Sequence, residues 1–178
     1  MASLRATLGL GTAAGTVAAR GLSSASNVPN HAPVFLFINF ILAYAILPST
    51  LLKCWYGIHH NESPRYDLVK YGRAAVKSGR MTHKQLEMIQ RAESAHADLV
   101  ENYAFFVATM AFATFAGVDN AEVNQTGLVY TVAQILYGLA YILIDDRLWS
   151  EIRGYPWWVG NNYCLYLLLK AGQKLNQG

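Results

Sequence analysis

The stretch "RAESAHADLVENYAFF", residues 91–106, runs directly into "VATMAFATFAGV", residues 107–118, with no turn signal between them. Arg91, Glu93, His96, Asp98 and Glu101 crowd the turns just ahead of an uncharged run. Between Thr82 and Val118 there is no proline, and the first glycine is Gly117, so one continuous helix is predicted there. Thr82 followed three residues later by Gln85 fits a capping box and places the helix start. At about 1.5 Å per residue this helix is about 55 Å long, well beyond a bilayer's hydrocarbon core of about 30 Å. It therefore begins outside the membrane and enters partway, which puts residues 91–101 at or just inside the interface.

The rest of the chain supports a membrane setting. Of its 178 residues 53% are hydrophobic and 14% charged, against about 25% charged in an ordinary soluble domain. Four stretches carry no Asp, Glu, Lys or Arg: Gly21–Leu52, Asn102–Val118, Val123–Ile144 and Gly154–Leu169. A spanning helix needs about 20 apolar residues. The first and third stretches clear that length; the second is extended by the amphipathic segment before it, and the fourth needs support from its neighbours. The fold expected is all-α, an integral membrane four-helix bundle over residues 30–174, behind an N-terminal leader over residues 1–29. A soluble helical bundle is the competing reading, and the run lengths argue against it.

Charge sets the expected orientation. The segment from Lys53 to Arg91 carries Lys53, Arg65, Lys70, Arg73, Lys77, Arg80, Lys84 and Arg91 against Glu62, Asp67 and Glu87. The loop between the second and third helices has Asp119 and Glu122 and no base. By the positive-inside rule the first loop faces the cytosol, or the matrix in a mitochondrion, with both termini opposite. The net charge of +3 thus reports topology and not nucleic-acid binding. Residues 1–26 hold Arg5 and Arg20 and no acid, and are rich in Ala, Ser, Thr and Gly. That composition fits a transit peptide or an uncleaved leader on an endomembrane protein, so endoplasmic reticulum and mitochondrial membranes are both open.

Cys54 and Cys164 have no zinc or disulfide spacing. His59–His60 reads as a loop feature with no carboxylate set beside it. No metal is expected, and neither sequon, Asn61-Glu-Ser or Asn124-Gln-Thr, is expected to be used.

Two polar faces suggest a ligand. On the second helix Arg91, Ser94, Asp98, Glu101 and Asn102 share a face about 100° wide at 100° per residue. Ionisable groups in a membrane protein face the bundle interior, pair or line a cavity, so an Arg91 salt bridge with Asp98 or Glu101 is the structural alternative. On the third helix Tyr130, Gln134, Tyr137 and Tyr141 form a seam that ends at Asp145. Two such stripes would enclose a polar pocket at the cytosolic membrane face. Arg147 and Arg153 follow, with Trp149, Trp157 and Trp158 as interface anchors.

The segments "RAESAHADLVENYAFFVA", "GLVYTVAQILYGLAYI" and "IRGYPWWVGNNYCLYLLL" give the chain a resemblance to the MAPEG family, the membrane-associated proteins of eicosanoid and glutathione metabolism. The likeness covers roughly Asn30 to Gly172 and is nearest a fungal-type branch. It implies a homotrimer that binds glutathione as co-substrate between adjacent subunits near the cytosolic side. Arg91 and Glu101 match the family's leading Arg and its Glu. Asp98 stands where Asn is usual, and Ser94 and Ala97 where several enzymes carry arginine. Tyr137 and Tyr141 match the pair that contacts the tripeptide, and Arg153 the arginine that activates the thiol. The resemblance implies a membrane-bound glutathione transferase or peroxidase for lipophilic electrophiles or lipid hydroperoxides. A non-enzymatic lipid-binding or scaffolding protein of the same family, in contact with membrane lipids, is the other outcome. A third is a structural bundle whose polar stripes pack the trimer.

Overall fold

The computed structural model describes residues 28–46, 49–146 and 149–177. The leader through residue 27, Pro48, Arg147 and the Trp149 side chain lie outside the described residues. The chain is helical: α1 (Ala32–Ile41), a π-helical turn (Leu42–Ile46), α2 (Thr50–Trp55), α3 (Asp67–Lys77), α4 (His83–Phe115), α5 (Asn120–Leu143), a 3₁₀ turn (Trp149–Arg153) and α6 (Gly154–Asn176). No strand occurs among the described residues.

The long helix starts where the capping box places it. The Thr82 hydroxyl accepts from Gln85 N–H, and the Gln85 side chain accepts from Thr82 N–H at 2.8 Å. Its end is also encoded locally. Gly117 adopts φ +72°, a left-handed conformation open to glycine, so Gly117 N–H donates to Thr114 O and Val118 N–H to Ala113 O. Asp119 then caps α5 by accepting from Ala121 N–H at 2.7 Å.

α5 packs most extensively against α6 and α4, and α1 lies across α5. Phe106, Met110 and Ala113 of α4 meet Val123 and Tyr130 of α5 and Cys164, Leu167 and Ala171 of α6 in the main core. Phe106 and Tyr130 stack nearly parallel at 4.0 Å. α1 joins through a polar tie and a close approach. Asn39 Nδ2 donates to Thr131 Oγ1 at 2.7 Å, the cross-helix use expected of a lone membrane asparagine. Gly127 leaves room for the Phe35 ring, which a Cβ there would meet at 2.3 Å. A second core, Ile58, Leu68, Ala75, Met81, Leu86 and Ile89, seats α3 on the first turns of α4.

By length and composition two segments are long and apolar enough to cross a membrane, Ala32–Trp55, which runs over residues 47 and 48 outside the described residues, and Asn120–Leu143. Phe37, Ile38, Leu128, Val132, Leu136, Leu139, Leu165 and Leu169 point outward. Apolar surface on that scale is what lipid, and not water, tolerates.

The sequence predicts a first helix over about Pro33–Leu52, interrupted by Pro48 near its cytosolic end. Regular helix ends earlier, at Ile41, with the π turn Leu42–Ile46 after it and α2 starting at Thr50. Within the π turn the Ala43 carbonyl is met by a side chain of another helix: His96 Nδ1 donates to it at 2.9 Å and so carries the proton on Nδ1. The histidine pair also needs correcting, for a carboxylate does lie beside it. Asp67, fully buried, accepts from His60 N–H at 2.9 Å, with the His59 and His60 Nδ1 atoms 3.7 and 3.5 Å away. His60 stacks on Tyr71 at 4.0 Å. This cluster organises the turn into α3.

Candidate functional site

The two helix faces meet at the C-terminal end of α5. Tyr137 O–H donates to Asp98 Oδ2 at 2.5 Å. Tyr137 and Tyr141 pack edge to face at 5.5 Å, and the Arg153 guanidinium lies over the Tyr141 ring at 4.2 Å. The 3₁₀ turn before α6 carries Arg153 back over α5, which is why an arginine distant in sequence reaches Tyr141. Together Asp98, Tyr137, Glu151, Arg153, Gly154 and Trp157 line a cavity of about 330 Å³. Asn102 supports its floor: Nδ2 donates to Asp98 O at 2.8 Å, and Asn161 donates to Asn102 Oδ1 at 3.5 Å and to Trp157 O at 3.0 Å.

Arg91 is close by but otherwise engaged. Its Nε and Nη2 donate to Ile142 O, both at 3.4 Å, at the end of α5 where a cation complements the helix dipole. The alternative of a salt bridge from Arg91 to Asp98 or Glu101 is not formed. Tyrosine has taken the carboxylate, and a backbone carbonyl the guanidinium. Ser94 and Glu101 lie on the outward face of α4, and Ser94 Oγ donates back to Gln90 O at 3.2 Å. Glu101 opens instead onto a second cavity, of about 610 Å³, with Tyr44, Lys53, Arg65, Glu93 and His96. Thus Arg91, Asp98, Asn102, Tyr137, Tyr141 and Arg153 are gathered on one flank of α4. Ser94 and Glu101 are not. Tyr130 and Gln134, part of the expected seam, are buried in the bundle and do not line the cavity.

Other residues emerge only in three dimensions. Glu151 and Trp157 line the first cavity. In the second, Lys53 is 3% exposed, donates to Pro64 O at 2.8 Å and pairs with Glu93 at 3.0 Å, while Ser49 Oγ donates to the same carboxylate at 2.8 Å. Lys53 and Glu93 lie far apart in sequence and share no periodicity, so no local pattern announces the pair.

An all-helical chain with an apolar exterior and a polar cavity at one end defines a polytopic helical membrane protein. The family comparison gives the identity: the MAPEG family model matches residues 32–173, and the chain belongs to that family of membrane proteins. No curated protein and no solved structure matches it.

Glutathione, the co-substrate that members of this family generally use, can be tested against these residues. The tripeptide brings two carboxylates, one ammonium and a thiol. The cavity offers one guanidinium, Arg153, which makes no ion pair among the described residues. Asp98 and Glu151 suit an ammonium. One ligand carboxylate therefore finds its cation here, and the other needs a group from outside the cavity.

Proposed function

We propose that the protein is a membrane-bound glutathione-dependent transferase or peroxidase acting on lipophilic electrophiles or lipid hydroperoxides. Four helical spans over residues 30–174 carry it, with the first loop on the cytosolic or matrix side of an endoplasmic reticulum or mitochondrial membrane. The observation that carries this reading is Arg153, stacked on Tyr141 beside Tyr137 in a polar cavity of a MAPEG chain. Bound glutathione supplies a thiol nucleophile. An ordinary thiol has a pKa near 8.5 and ionises more readily beside a cation, and Arg153 is the cation placed to do this. Tyr137, committed to Asp98, orients that carboxylate. Tyr141 holds the guanidinium.

The reading includes a homotrimer, as is typical of the family. Asp98 and Glu101 line different cavities at the two edges of the polar face of α4, and a ligand that touches both kinds of surface lies between two copies. The outward face of α4, with Ser94, Ala97, Glu101, Ala104 and Ala108, is small enough for the close helix approach that favours membrane association. Arg91, Ser94, Asp98, Glu101, Asn102, Tyr137 and Tyr141 then form the binding set and Arg153 the catalytic group.

Thiolate absorbance and conjugation of a model electrophile by purified protein test the reading. Both should be present in the wild type and fall about 100-fold in turnover in Arg153→Ala. Glutathione binding with neither signal would favour the second reading, a lipid-binding member without catalysis. That reading has its own support in the two carboxylates against one guanidinium in the cavity.

A further inference from the structure

A groove of about 620 Å³ runs down the outside of the bundle between α5 and α6, lined by Leu128, Val132, Leu136 and Ala140 on one side and Ile152 and Val159 on the other. From Leu128 to Ala140 it follows α5 for about 18 Å at the helical rise. One leaflet of hydrocarbon is about 15 Å deep, half of a core of about 30 Å. The groove thus has the length of an acyl chain hanging from the interface to the midplane. Its upper end abuts the polar cavity. Leu136 faces the groove and Tyr137 the cavity, and the 3₁₀ turn likewise gives Ile152 to the one and Arg153 to the other.

Any lipid-facing groove meets acyl chains, so selectivity has to come from the head. The cavity at the top sets Arg153 against Glu151 and Asp98, beside the ring of Trp157. A bare carboxylate or an anionic headgroup finds one cation and two like charges. A phosphate joined to an ammonium finds a partner for each end: the guanidinium for the phosphate, and the carboxylates and indole face for the ammonium.

We propose that the α5–α6 groove and the Glu151–Arg153 cavity together bind an intact zwitterionic phospholipid of the surrounding bilayer, one acyl chain in the groove and its ammonium headgroup at Glu151. The headgroup shares the cavity read above as the glutathione site, so lipid and tripeptide compete for Arg153, and the lipid is tested with glutathione absent.

Native mass spectrometry of the detergent-purified protein, exposed in turn to phosphatidylethanolamine, phosphatidylglycerol and oleate without glutathione, tests this. Phosphatidylethanolamine should be retained about fivefold over the other two, the scale of one exposed charge contact of about 1 kcal/mol. Glu151→Gln, a surface change, should erase that preference. Val132→Trp, which fills the groove, should lower retention of the phospholipids while leaving glutathione binding in lipid-free detergent where it was. Equal retention of all three lipids by the wild type, or a preference unchanged in Glu151→Gln, would overturn the proposal.

Discussion

Asp98 decides how the cavity treats charge. Its carboxylate accepts from Tyr137 and faces the same space as Arg153, so it subtracts from the positive potential that an anionic tripeptide needs. Replacing it by asparagine keeps an acceptor for the phenol and removes the charge. Asp98→Asn should tighten glutathione binding about three- to tenfold, as expected of a partly screened contact of about 1 kcal/mol, read by equilibrium titration. Tyr137→Phe should instead leave the carboxylate short of a donor and lower stability by about 1–3 kcal/mol, seen as a lower unfolding temperature. The ion pair on the other flank of α4 answers to a different rule. Lys53, 3% exposed, is held by Glu93, and removing one partner of a buried pair costs about 3–5 kcal/mol. Glu93 is 27% exposed, so the lower end applies to Glu93→Leu. The double variant Lys53→Met/Glu93→Leu should recover most of that loss in thermal unfolding, because no charge is then stranded.

Among the elements, α4 was the most legible from sequence and α1 the least. The capping box at Thr82, the absence of proline and the glycine stop at Gly117 are local signals, and the helix His83–Phe115 follows them closely. An interruption near Pro48 was legible from the proline, but the π turn Leu42–Ile46 ahead of it was not, because its Ala43 carbonyl is met by His96 of another helix. Periodicity placed Arg91 and Asp98 on the flank that meets α5 and Asn102 beside them, where it meets Asn161 of α6. It could not separate them from Ser94 and Glu101, because a face about 100° wide spans the boundary between a neighbouring helix and open surface. Glu151 escaped notice because a 3₁₀ turn, and not a helical repeat, brings it to the cavity, and Trp157, read as an interface anchor, lines that cavity from the first turn of α6. Close packing at this scale is testable at Gly127, where a Cβ would meet the Phe35 ring at 2.3 Å. Gly127→Leu should weaken the α1–α5 contact by about 1–3 kcal/mol, measured as loss of thermal stability in detergent.

For the whole molecule, membrane residence was legible in the uncharged runs, two of which fall in segments long and apolar enough to cross a bilayer, and the family in three segments spread along the chain. The polar cavity was legible only in part, since its walls come from α4, α5 and the turn before α6. What joins these levels is a helical membrane protein with one guanidinium set on a tyrosine pair at the end of α5. If that arrangement is a thiol site, glutathione is its ligand and Arg153 the group that most distinguishes the ionised from the neutral sulfur. Equilibrium binding of glutathione to the purified protein, in parallel with Arg153→Ala and with S-methylglutathione as a ligand that cannot ionise, tests this most directly. The account predicts saturable binding at or below millimolar glutathione, weaker binding of the methylated analogue, and loss of that difference in Arg153→Ala. Failure to bind glutathione at millimolar concentration, or an equal preference in wild type and Arg153→Ala, would contradict it.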